Sequence, residues 1–106
     1  MADAESLMEG MRSRADALRS LGYRVRFDLS DTEECILLDA TGGGTPRVEA
    51  ATPEDEADTV LRLSAADAEK LMRGKLSPML AFSTGRLRVE GSKGVAMKLA
   101  SLLDED

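Results

Sequence analysis

Hydrophobic residues recur every three or four positions over residues 3–21, which predicts an amphipathic helix. Asp3 is suited to cap its start and Gly22 to end it. The apolar stripe comprises Ala4, Met8, Met11, Ala15 and Leu18. We expect this helix to cover a core, as amphipathic surface helices generally do. The alternative is a helix that lids a cavity, where flexible methionines suit a ligand of variable shape.

From Tyr23 the period changes to two, which is typical of β-strands with one buried face. Strands are predicted at 23–29, 35–38, 47–50, 58–63 and 86–90. Charged residues oppose the apolar ones along these strands: Arg24, Arg26, Arg47, Glu49, Arg62, Arg86, Arg88 and Glu90. One face of the sheet is therefore predicted to be charged. We favour a solvated face with cross-strand ion pairs over an anion-binding or acidic-partner surface.

Helix signals follow the fourth strand. Ser64 with Asp67 predicts a capped helix that Gly74 ends. Ser77-Pro78 predicts a second, short helix that closes at Gly85. Residues 95–103 are largely apolar and predict a final helix. Since one sheet face is charged, the helices should all cover the other face. The predicted fold is α+β, with two layers and a mostly antiparallel five-stranded sheet.

Length and charge narrow the class of protein. The 106 residues suit a single domain spanning 1–106. The net charge of −6 argues against nucleic acid and gives no attraction to anionic membranes. No apolar run approaches the roughly 18 residues of a membrane span, so stable membrane insertion is not expected. A single cysteine, Cys35, and a start without signal-peptide character favour the cytoplasm.

The residues offer little catalytic chemistry. The chain has no histidine, the commonest general base and metal ligand. Cys35 falls in a predicted buried strand, where a thiol is inert, and no base is placed to activate Ser83 or Thr84. The glycines at 42–44 lack the Lys-Ser/Thr of a P-loop, and the acidic loop 51–57 lacks the spacing of a calcium loop. We therefore expect no enzyme activity, no metal and no cofactor.

The last half of the chain resembles the sterol carrier protein type-two family, also called nonspecific lipid-transfer protein. The resemblance is specific over residues 58–99 and loose over 1–57. Its main signature is Ala81-Phe82, Thr84-Gly85, Arg86-Leu87-Arg88-Val89, Gly91, Gly94 and Ala96-Met97-Lys98-Leu99. The preceding family pattern matches Asp58, Thr59, Leu61, Leu63, Ser64, Asp67, Leu71, Gly74-Lys75-Leu76 and Pro78.

This resemblance implies an apolar tunnel between sheet and helices that binds fatty acid, fatty acyl-CoA, sterol-like ligands or phospholipid without chemistry. The residues expected to line it are Phe27, Leu63, Leu71, Met72, Leu76, Met79, Phe82, Val95, Met97 and Leu102. The alternative is that these side chains fill a solid core, in an accessory or dimerising module of a lipid-handling enzyme. The expected partners are thus a hydrophobic small molecule and either a partner enzyme or a second copy of the chain.

Overall fold

The computed structural model describes residues 4–103, which form four helices and five strands. In chain order the elements are α1 (Ala4–Ser13), β1 (Arg24–Leu29), β2 (Cys35–Asp39), β3 (Arg47–Ala51), β4 (Thr59–Leu63), α2 (Ala65–Met72), α3 (Pro78–Ser83), β5 (Arg88–Gly91) and α4 (Lys93–Leu103). Burial alternates along β4, as the predicted period of two requires, and along β1 as far as Phe27; Asp28, which follows, is buried as well.

The five strands form one open, mixed sheet in the order β3-β2-β1-β4-β5. The central pair, β1 and β4, is parallel, with Phe27 opposite Leu61. The other three pairings are antiparallel. Helices pack against the face that carries Val25, Phe27 and Leu29, which are at most 1% exposed. The predicted fold class, an α+β domain with a mostly antiparallel five-stranded sheet, is confirmed.

The first helix is shorter than the predicted 3–21, because it ends at Ser13. Beyond it the chain continues in tighter turns, in which backbone N–H groups bond carbonyls three residues back. The Arg14 guanidinium donates to the carbonyls of Met72 (2.6 Å) and Leu103 (3.1 Å), at the ends of α2 and α4. These long-range hydrogen bonds hold the chain at the point where the regular helix ends. Leu18, which lies beyond that point, is fully buried, as the predicted apolar stripe requires. The predicted cap, Asp3, lies outside the described residues.

Both predicted caps after β4 are present. The Ser64 hydroxyl accepts from the N–H of Asp67 at 3.1 Å, and the Ser77 hydroxyl accepts from Leu80 at 3.4 Å. The last helix begins at Lys93, two residues before the predicted start, because the Ser92 hydroxyl accepts from the N–H of Val95 (3.2 Å).

The fifth strand begins at Arg88 rather than at Arg86. Arg86 lies in the turn after α3, and its guanidinium donates to both carboxylate oxygens of Asp67, at 2.6 and 3.3 Å. This pair lowers the pKa of Asp67, since the hydrogen bond from Arg86 favours the ionised carboxylate. The prediction that Arg86 belongs to the charged sheet face is therefore wrong, and the residue instead ties the end of α3 to α2.

The remaining cations of the charged face are mostly matched by carboxylates. Arg26 lies 2.8 Å from Asp28, Arg62 lies 3.2 Å from Glu90, and Arg47 lies 3.1 Å from Glu49. The Arg62–Glu90 pair joins β4 to β5, as the interpretation of cross-strand ion pairs predicts, whereas the Arg26–Asp28 and Arg47–Glu49 pairs each lie within one strand. Arg88 is the exception, because no side-chain partner for it is found within residues 4–103.

Candidate functional site

An apolar groove opens at the β5 edge of the sheet, between α3, β5 and α4. Its volume is about 150 Å³. Apart from Lys93, its lining is apolar: Pro78, Met79, Phe82, Leu87, Val89, Ala96, Met97 and Ala100. This combination of a concave apolar surface and one charged group at its rim is typical of small-molecule sites.

Each wall of the groove has a simple origin in the sequence. On α4 the lining residues are Lys93, Ala96, Met97 and Ala100, a helical stripe beside the buried stripe that includes Val95 and Leu99. The alanines leave room that larger side chains would fill. Helix α3 contributes Met79 and Phe82, which lie three residues apart and so on one side of the helix.

The groove leaves large apolar side chains in water. Met79 is 63% exposed, Met97 is 61% exposed and Phe82 is 47% exposed. Single exposed hydrophobic residues are ordinary, but three around one concavity form a contiguous patch. Such a patch marks a surface that an apolar guest can cover.

The ten predicted lining residues fall into two groups. Met79, Phe82 and Met97 line the groove. The others lie in or against the core: Phe27, Leu63, Leu71, Met72, Leu76 and Val95 are at most 7% exposed, and Leu102 packs partly buried against the core. At the centre of the interface between sheet and helices these side chains pack against one another. The opening therefore differs from the predicted tunnel, since it lies at the edge of that interface.

Six groove residues were absent from the predicted set: Pro78, Leu87, Val89, Lys93, Ala96 and Ala100. The spacing of 93, 96, 97 and 100 could have indicated the α4 wall, because these positions share one side of a helix. The position of β5 at the sheet edge could not be read from alternation alone, since alternation gives a strand's faces but not its neighbours.

Two larger pockets elsewhere each include several charged residues in their linings. One of about 540 Å³ lies over the charged sheet face, against Arg24, Arg26 and the acidic loop at 53–58. Another of about 690 Å³ lies between α1 and the β2–β3 edge and includes Arg12, Glu33 and Glu34. Their charged linings suit water better than an apolar ligand, so size alone does not identify the site.

The titratable groups of the charged face stabilise one another. Burial opposes ionisation of Asp28, but hydrogen bonds from Arg26 and Cys35 and the charge of Arg62 outweigh it, so the pKa of Asp28 is lowered. Burial, reinforced by the Asp28 carboxylate, raises the pKa of the Cys35 thiol. A raised pKa disfavours the reactive thiolate. Within residues 4–103 no cluster of three metal-ligating side chains is placed to hold an ion.

Comparison with known proteins assigns the chain to a family. The family model for the SCP-2 sterol transfer family matches residues 4–104, and the chain belongs to this family. Hydroxysteroid dehydrogenase-like protein 2 of Xenopus laevis is 36% identical over 111 residues, covering 97% of this chain. The chain spans only 26% of that relative's length.

Solved structures show the same fold. The palmitated SCP2L2 of Aedes aegypti superposes with a TM-score of 0.73 at 17% identity, covering 95% of this chain and 94% of that chain. The inverting sec-alkylsulfatase Pisa1 from Pseudomonas sp. gives a TM-score of 0.72 at 18% identity, covering 91% of this chain and 15% of the sulfatase. None of the helices described between residues 4 and 103 has the length and apolarity to cross a bilayer.

Proposed function

We propose that this chain binds hydrophobic ligands in the groove between α3, β5 and α4 and carries them without chemical change. The candidate ligands are fatty acids, fatty acyl-CoA, sterol-like molecules and phospholipids. The observation that carries the proposal is the apolar lining, in which Met79, Phe82 and Met97 remain exposed. Membership of the sterol transfer family supports it, as does the palmitated state of the Aedes aegypti relative. The lone buried Cys35 supports a cytoplasmic location.

The groove must widen to take a long aliphatic chain. Its volume of about 150 Å³ is below the roughly 300 Å³ at which ligand pockets usually begin. Helix α3 is the wall best suited to move, because only Pro78 and Ala81 of its six residues are buried. Displacing it exposes little new apolar surface, so the energetic cost of opening is small.

Burial of the ligand's methylene groups supplies the affinity. Each buried methylene contributes about 0.8 kcal/mol, which is close to a fourfold change in Kd. Binding should therefore strengthen steeply with chain length until the widened groove is full. Part of this gain is offset by ordering both the ligand and α3.

The experiment combines native mass spectrometry of the purified chain with displacement of a fluorescent fatty acid by saturated acids of increasing length. A blocking variant, Ala100→Leu, adds a side chain to the α4 wall of the groove. Its matched control is Ser101→Leu, which adds the same side chain at an exposed position outside the groove lining.

We expect co-purified lipid, saturable displacement and at least tenfold weaker binding in Ala100→Leu, while Ser101→Leu binds like the parent chain. The proposal is refuted if the chain carries no lipid and displaces no probe. It also fails if Ala100→Leu and Ser101→Leu bind equally well, because the ligand would then lie elsewhere.

A second candidate is a lipid-presenting module that works beside an enzyme. It is favoured by the fact that this chain matches only a part of two larger proteins with enzyme names, 26% of the length of the hydroxysteroid dehydrogenase-like relative and 15% of the alkylsulfatase. In that case the isolated chain would bind ligand weakly, and a partner enzyme would restore binding. Saturable binding by the isolated chain, unchanged by a partner, would favour the carrier function.

A further inference from the structure

The apolar groove continues into a second pocket that wraps around the free edge of β5. This pocket has a volume of about 450 Å³. The two pockets share Phe82, Leu87, Val89 and Lys93. A molecule lying in the groove can therefore extend directly into the second pocket, with Lys93 at the junction.

The second pocket differs from the groove in charge. Besides Lys93 it contains Arg62, Arg88 and Glu90. Glu90 is already engaged, since Arg62 lies 3.2 Å from its carboxylate. Arg62 also lies 3.7 Å from Asp28. The pocket thus holds three cations and one carboxylate that is itself ion-paired.

Two of these cations are uncompensated. Within residues 4–103, neither Arg88 nor Lys93 has an ion pair or a side-chain hydrogen bond. Every other arginine of the chain has one or the other. In a chain of net charge −6, where carboxylates outnumber cations, two unpaired cations beside one groove leave a local positive charge.

We propose that the pocket at the β5 edge is a head-group subsite that selects amphiphiles with an anionic head, either a carboxylate or a phosphate. The aliphatic tail lies in the groove, and the head group contacts the Lys93 ammonium and the Arg88 guanidinium. This inference rests on the proposed function and adds a preference that an apolar groove alone would not have. The preference opposes the chain's net negative charge, so it requires a local positive potential such as Arg88 and Lys93 supply.

The test compares four twelve-carbon amphiphiles below their micelle concentrations: dodecanoate, dodecyl phosphate, dodecanol and dodecyltrimethylammonium. Their Kd values are measured by probe displacement on the parent chain and on the double variant Lys93→Gln/Arg88→Gln. The matched control is Lys75→Gln, which removes one cation that is exposed and lines neither pocket.

We expect the parent chain to bind both anionic amphiphiles about threefold to tenfold more tightly than dodecanol, as two exposed ion pairs allow. The double variant should lose this preference, so that its Kd values for dodecanol and for the two anionic amphiphiles agree within about twofold, and Lys75→Gln should retain it. Raising NaCl from about 20 mM to about 500 mM should shrink the preference, because exposed charges are screened. The ratio of the Kd values for dodecanoate and dodecyl phosphate shows which head group the subsite favours.

Equal affinity for dodecanol and the anionic amphiphiles would overturn the subsite while leaving the apolar groove in place. The same holds if dodecyltrimethylammonium binds as well as dodecanoate, or if the double variant keeps the preference. Absence of binding by all four amphiphiles would overturn both the groove and the subsite.

Discussion

Phe27 and Phe82 are expected to have different roles, the first in folding and the second in ligand binding. Replacing each with alanine in turn tests the two roles separately. Phe27 is fully buried in the core, whereas Phe82 is 47% exposed in the groove. A phenylalanine side chain offers roughly 200 Å² of surface, so about 90 Å² of Phe82 stays in water. A guest that covers half or all of it gains about 1–2 kcal/mol at about 25 cal/mol per Å².

Phe82→Ala should therefore weaken binding of a fluorescent fatty acid about fivefold to thirtyfold. Its free energy of unfolding should fall by about 1–2 kcal/mol, because roughly half of the side chain is buried in the folded chain and alanine retains part of that contact. Phe27→Ala should instead cost about 3–5 kcal/mol of stability, as for other buried aromatic residues. Probe titration and urea unfolding measure the two effects on the same preparations.

The matched control is Leu80→Ala on the same helix. Leu80 is 59% exposed but lines neither the groove nor the pocket beside it. It should leave both the probe Kd and the stability nearly unchanged. If Leu80→Ala weakens binding as much as Phe82→Ala, the guest does not lie on the groove side of α3. If Phe82→Ala binds normally, the groove is not the ligand site.

Three further substitutions test how the fold is held together. Arg14→Met keeps the apolar part of the side chain but removes the hydrogen bonds to the ends of α2 and α4. The free energy of unfolding should therefore fall by about 2 kcal/mol, and amide hydrogen exchange should become faster in the last turns of α2 and α4. In urea unfolding Gly91→Ala should lower the free energy of unfolding by about 2–3 kcal/mol, since φ is 89° and a Cβ would lie 2.9 Å from the backbone carbonyl oxygen of Asp58. Gly94→Ala should be neutral or stabilising, because a Cβ there would meet only the Ser92 hydroxyl, at an ordinary contact distance of 3.8 Å. Asp28→Asn should cost about 1–3 kcal/mol at pH 7, because Arg26 loses its carboxylate partner. The pKa of Asp28 is lowered from 3.8, so its stabilisation is present above about pH 4 and is lost as pH falls through the folded-state pKa; urea unfolding of the variant across pH should show a shallower acid decline.

The sequence was sufficient to predict those features of the fold that depend on interactions between residues close together in the chain. Ser64 and Ser77 cap helices three residues away from their bonding partners, and strand alternation is imposed by the backbone. Long-range interactions decided the rest. Arg14 shortened α1 by bonding α2 and α4, and Arg86 left the predicted strand to pair with Asp67. No periodicity records such pairings, because their partners lie at least 19 residues away.

The same distinction applies to the site. Met79, Phe82 and Met97 were predicted from their apolar character, but the sequence could not separate them from core residues such as Phe27 and Leu71. What separates them is the position of β5 at the sheet edge, where α3 and α4 cover the strand incompletely. That position depends on the pairing of β4 with both β1 and β5, which alternation does not specify.

The edge position of the groove also follows from the size of the chain. A closed tunnel of about 300 Å³ would cost about 7 kcal/mol at roughly 24 cal/mol per Å³ of cavity. That is comparable to the total stability of a small domain, about 5–15 kcal/mol. A chain of 106 residues is therefore more stable with its centre filled by Phe27, Leu63 and their neighbours and with only a shallow groove beside the short helix α3. In the proposed mechanism α3 moves outward to enlarge the groove, so variants that anchor α3 more firmly should gain stability and bind ligand more weakly.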